Sequence, residues 1–123
     1  PSSVAGIEGL PVTDILLENI KITYPGGGNA AYANAPIDRL NEVPENAADY
    51  PEFSMFGELP AWGLYVRHTS GITLRKVRIK AKNRDYRYPV VFDDVKNSKI
   101  ESLKVRGERK KKDIILYNSD TPK

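Results

Sequence analysis

The chain repeats itself at an interval of 26 residues, and the repeat needs no gap. "GLYVRHTSGITLRKVRI" from Gly63 lies over "PVVFDDVKNSKIESLKV" from Pro89. Leu64 then meets Val90, Val66 meets Phe92, Leu74 meets Ile100, Val77 meets Leu103 and Ile79 meets Val105. Apolar residues alternate, skip one position between Leu74 and Val77, then alternate again. Alternation is the mark of a half-buried strand. The skip predicts a bend that keeps the inward face inward. "DILLENIKI" places Ile15, Leu17, Ile20 and Ile22 in the slots of Ile72, Leu74, Val77 and Ile79. "KDIILYNSD" is expected to carry a truncated copy. The bend slot then holds Asn19, Lys76, Ser102 and Asn118, and asparagine tolerates the left-handed backbone such a bend requires.

A helix fits these segments badly. They are rich in Ile, Val, Thr and Tyr and are broken every few residues by Gly, Pro or Asn. A sandwich of hairpins calls for turn signals about every 8–12 residues. A long gapless repeat instead predicts an all-β solenoid, a short parallel β-helix of about three to four coils. Residues in matching slots then sit roughly 4.8 Å apart, the strand spacing. Glu18, Arg75 and Glu101 share one outward slot and are expected to form an alternating charge ladder. Lys21, Arg78 and Lys104 share another, where like charges repel and favour an anion.

Residues 25–60 break the period. This inserted loop opens on "PGGG" and carries Pro36, Pro44, Pro51 and Pro60. It also holds Tyr32, Tyr50, Phe53, Met55 and Phe56, which predicts an ordered arm folded over the strands. Residues 1–123 are expected to form a single domain, as the length suggests. The abrupt opening "PSSVAGIEG" reads as a cut end.

Composition closes several avenues. With no cysteine, there is no disulfide framework and no thiolate chemistry. One histidine leaves no metal constellation, and no metal or cofactor is expected. No leader peptide is read in the chain, and no apolar run approaches the ~18 residues that cross a membrane. The net charge of +3 permits a polyanionic partner without demanding one. "RGERKKK" reads as a solvated tail, since no nucleic-acid-binding motif accompanies it.

"LENIKITYPGGG", "YPEFSMFGELPAWGLYVRH" and "SGITLRKVRI" resemble the C-terminal coils of glycoside hydrolase family 28, the polygalacturonases and related pectin hydrolases. The resemblance covers nearly the whole chain. It implies a right-handed parallel β-helix in a secreted or periplasmic parent protein. It also implies hydrolysis of galacturonate-containing polysaccharide with inversion at the anomeric carbon. The family's site runs Asn-Thr-Asp, an Asp pair, Gly-His-Gly and Arg-Ile-Lys on successive coils. The first and third motifs are absent here. "RIK" at Arg78–Lys80 precedes "DD" at Asp93–Asp94, the reverse of the family's order.

Asp93, Asp94 and His68 are therefore weak catalytic candidates. An inverting hydrolase needs an acid and a base on opposite sides of the bond with a water between, and one Asp pair does not supply both. The Asp pair is expected to end the "PVVF" strand and bond nearby backbone amides in a turn. His68 stacks beside Asp94 in the 26-residue register, which predicts a structural hydrogen bond. Trp62, Tyr65, Arg67 and Tyr50 are the candidate substrate-binding residues. Tyr65 and Arg67 are expected to be exposed on one outward strand face, where a guanidinium and an aromatic ring suit a uronate.

The expected role is to complete the solenoid and one wall of a cleft for an acidic, pectin-like polysaccharide, without activity in this chain alone. Two alternatives stand beside it. One is a stand-alone acidic-glycan-binding module using the basic stripe. The other is a structural or assembly domain, oligomerising through open strand edges.

Overall fold

The computed structural model describes residues 2–26, 61–85, 87–107 and 113–123. Most of the inserted arm, with Tyr50, Phe53 and Phe56, lies outside the described residues, as does most of the "RGERKKK" tail. The described residues are all-β. The strands are β1 (Ser2–Ala5), β2 (Val12–Gly26), β3 (Ala61–Asn83), β4 (Tyr88–Lys96), β5 (Lys99–Ile100), β6 (Leu103–Arg106) and β7 (Ile114–Tyr117).

Every pairing between these strands is parallel. The long strand β3 is the centre. On one edge it takes β1 and then β2; on the other it takes β4, β5 and β6 in turn. β7 lies on the far side of β4. The sheet thus has four parallel rows: β1–β2, β3, β4–β6, and β7 with the residues after it. The expected register holds. Leu64 pairs with Val90 and Val66 with Phe92. Leu74 pairs with Ile100, Val77 with Leu103, and Ile79 with Val105. Ile15, Leu17, Ile20 and Ile22 pair with Ile72, Leu74, Val77 and Ile79. β2 runs through Pro25 to Gly26, two residues into the segment expected to leave the sheet.

Three left-handed bends break the rows, and they coincide from row to row. His68, Asp94 and Asn118 form one stack, with φ of 50°, 56° and 52°. Asp14, Gly71 and Asn97 form the second, with φ of 56°, 84° and 53°. Asn19 and Lys76 form the third, at 55° and 53°. Asp and Asn dominate because their short polar side chains tolerate this conformation. Gly71 needs no such tolerance, and a Cβ there would press to 3.3 Å from the Asp14 carboxylate. Coincident bends let each row keep its register with its neighbour on either side of them.

Two bend assignments differ from expectation. Ser102 stands opposite Lys76, where Val77 N–H donates to its carbonyl at 3.0 Å, but it is not left-handed. Asn118 belongs with Asp94, not with Asn19, because β7 pairs with β4: Val90 meets Ile114 and Phe92 meets Leu116. The short apolar run of "DIILY" fits either slot by alternation alone. The C-terminal residues beyond it decide between them. Asp120 N–H donates to the Val95 carbonyl and Lys123 N–H to the Ser98 carbonyl, so the last residues continue along row three.

One apolar cluster gathers the inward side chains of all three straight stretches of β3. It includes Leu64 and Val66, Ile72 and Leu74, and Val77 and Ile79. Burial follows coverage. The β3 members are flanked by rows on both sides and are buried, whereas Ile15, Leu17, Ile20 and Ile22 of the edge row are only partly so. In row three, Val90 and Phe92 are buried beneath β7, while Ile100, Leu103 and Val105 are half-covered. No row buries its own face; the neighbour does it.

Candidate functional site

The first stretch of β3, Ala61–Thr69, is buried on both faces. Leu64 and Val66 point into the main cluster. Tyr65 points the other way and packs with Ala61 and Val91 in a second apolar cluster. Tyr65 is only 1% exposed and Arg67 8%. The expectation that these two stand exposed on an outward face is corrected. They do face away from the core, but that side is covered as well. Alternation reports which way a side chain points and says nothing of what lies beyond it. Trp62 is buried too, edge-on to the Tyr24 ring at 5.9 Å between centroids. Tyr24 OH lies 2.8 Å from Ser2 Oγ, and burial raises the Tyr24 pKa against that bond.

The parallel register brings β4 beside this stretch, with Arg67 opposite Asp93. Tyr65 OH donates to Asp93 Oδ2 at 3.2 Å. Arg67 Nε lies 3.2 Å from the same oxygen as a charge contact, its N–H not aimed along that line. Burial pushes the Asp93 pKa up; the Arg67 charge and the Tyr65 hydroxyl pull it back. Desolvation wins because Asp93 as a whole is only 6% exposed.

Asp94 sits on the left-handed bend, which turns its side chain toward its stacked neighbour. His68 Nδ1 and Asp94 Oδ2 are 2.7 Å apart, as the repeat register predicted. The pair does not cap a turn through backbone amides. β4 continues past it to Lys96, and each carboxylate bonds a side chain on β3 instead. A bend that preserves the strand ladder leaves no loop amides for the carboxylates to meet. Farther along, Arg87 donates from Nε and its backbone N–H to Asp85 Oδ1, and from Nη2 to Oδ2. This two-pronged pair fastens the passage from β3 to β4.

The structure therefore assembles five of the residues singled out from the sequence. Tyr65, Arg67, His68, Asp93 and Asp94 make one polar layer across β3 and β4. Trp62 belongs to the apolar core beneath it. Chemically, the layer holds one carboxyl whose pKa is raised by burial and a second tied to an imidazole. Both are committed to protein partners. Among the described residues, no group of three His, Asp or Glu side chains is placed to hold a metal ion. Asp85 and Arg87 went unremarked in the sequence, although "DYR" directly after a strand is the signal that would have raised them.

Comparison with protein families, curated proteins and solved structures finds no match to the chain.

Proposed function

We propose that the chain is the C-terminal part of a right-handed parallel β-helix in a protein of glycoside hydrolase family 28 type. That protein acts on galacturonate-containing polysaccharide. Here the chain completes the solenoid and one wall of the glycan cleft, and it does not carry the catalytic centre. The observation that carries the reading is the gapless register between β3 and β4–β6, with left-handed bends stacked in the same slots. The three straight stretches of β3 also share one apolar cluster, which suits a chain wound around a common interior.

The non-catalytic part rests on the Asp pair. Inverting hydrolysis needs an acid and a base about 6.5–9.5 Å apart with room for a water. Asp93 is buried against Tyr65 and Arg67, and Asp94 is held by His68. These contacts suit carboxylates that join two strands.

The test is the native protein. Antibodies to this chain identify it in its source cells, and its mass and its release of reducing ends from polygalacturonate are then measured. A mass several times 13.8 kDa, with hydrolysis, is the expected result. A native mass near 13.8 kDa overturns the reading. So does hydrolysis by this chain alone that Asp93→Asn abolishes.

A further inference from the structure

Beyond the third bend, the outward side chains of the rows are almost all basic. Lys21 pairs in register with Arg78, and Arg78 with Lys104. Lys80 pairs with Arg106, and Lys76 lies at the bend itself. All six side chains are exposed. Among the described residues, no carboxylate forms an ion pair with any of them. Two shallow depressions lie along this face, of about 330 and 290 Å³, and Lys21, Arg78 and Lys104 line both. They adjoin at these three residues and together make a basic trough.

We infer that this trough is a docking track for a linear acidic polysaccharide, separate from the polar layer at Asp93. The bends at Gly71 and Lys76 part the two along β3. Cations repeat at roughly 4.8 Å across the rows and about 6.6 Å along a strand, given a rise near 3.3 Å per residue. A single small anion would engage two or three of them. An extended chain of anions engages the whole set. The chain's net charge is only +3, so six cations on one face are a strong local concentration.

The lining favours a glycan over a nucleic acid. Among the described residues neither depression has an aromatic residue in its wall, so unpaired bases find no stacking platform. The face is a strand surface, and among the described residues no protruding element is there to enter a duplex groove. Carboxylate and sulfate groups share the chemistry that lysine and arginine recognise here. The choice of a polysaccharide rests on the proposed function above. That reading is tested by hydrolysis in the native protein and this one by binding to the chain, so either can fail alone.

The experiment titrates the chain with polygalacturonate, dextran sulfate and a mixed-sequence DNA duplex over a range of salt. Arg78→Glu is the main variant. It places a carboxylate between Lys21 and Lys104, so the fold is retained while the trough is broken. Arg78→Gln runs in parallel as the milder change. Arg75→Gln, three residues away, is the control for charge loss elsewhere. Salt-sensitive binding to polygalacturonate or dextran sulfate, weakened about tenfold by Arg78→Glu and little changed by Arg75→Gln, is the expected result. The tighter of the two glycans identifies the charged group. Absence of binding to both, equal binding by Arg78→Glu, or tighter binding to DNA overturns the proposal.

Discussion

Two charge ladders cross the same three rows, three residues apart along β3. In one, Arg75 stands between Glu18 and Glu101. In the other, Arg78 stands between Lys21 and Lys104. Both cross the same rows in one continuous register, so geometry does not separate them. The first ladder is neutralised within the sheet. Arg75 hydrogen-bonds Glu101 and reaches Glu18 at 3.5 Å, while Lys99 Nζ adds a contact to Glu101 at 3.1 Å. Among the described residues the second ladder has no such partner, and it bears a repulsion the fold does not require. A parallel register thus amplifies whatever the sequence places in a slot. Alternating signs become a brace, and repeated signs become a track for something outside.

The largest effect comes from removing the register both ladders depend on. Phe92 is wholly buried where rows two, three and four meet. Phe92→Ala is expected to cost about 3–5 kcal/mol in urea unfolding, and polyanion binding and the acid response of stability should be lost together. Asp93→Ala strikes the buried counterpart of the two ladders. It removes the buried carboxyl shared by Arg67 Nε and Tyr65 OH and should cost on the order of 3 kcal/mol by the same measurement. A loss as small as that of a surface substitution would show that Asp93 adds nothing to the join between β3 and β4.

Arg78→Glu separates the ladders most cleanly. Polyanion affinity should fall about tenfold, equal to ~1.4 kcal/mol, while the thermal midpoint holds or rises. Lys76→Asn relieves a left-handed lysine in the slot where row one already has Asn19. A gain of about 1 kcal/mol is expected, read as a higher urea midpoint at unchanged slope.

Acid should divide the molecule by sign. The Glu101 pKa is lowered from 4.5, chiefly by its hydrogen bond from Arg75. Its contribution is present above 4.5 and is lost as pH falls through the lowered value. The Asp93 pKa is raised from 3.8 by burial. Its contribution is fully present below 3.8 and is lost as pH rises through the raised value. Melting curves taken into acid should therefore show a shallower decline for Arg75→Gln than for the parent. Asp93→Asn should remove the opposing gain. Identical profiles for all three would erase the distinction between braced and buried carboxylates. This is the smallest effect, and salt should shrink the Arg75 part of it further.

Much of this architecture was legible in the residues. Strict alternation from Leu64 to Val66 and from Val77 to Ile79 assigned the inward faces. The shared apolar pattern aligned Glu18 with Arg75 across the inserted arm, and the gapless repeat aligned His68 with Asp94. The skip at Lys76 announced one bend. The bends at His68 and Gly71 went unread because polar residues surround them and no apolar spacing changes there. "DIILY" was too short to choose its slot, and the choice fell to the backbone hydrogen bonds of Asp120 and Lys123.

Period, facing and charge order came from the sequence unaided, because these are local properties that a repeat carries from row to row. Coverage did not. Tyr65 and Arg67 point outward by alternation and are nonetheless buried, since whether a face meets water depends on what the rest of the chain lays against it. The same holds for the Asp pair. Adjacent carboxylates in sequence became two separate cross-strand bonds only once β4 lay beside β3 and a left-handed turn at Asp94 sent the second side chain to His68. Burial is a sum over distant neighbours, and only the tertiary structure brings those neighbours together.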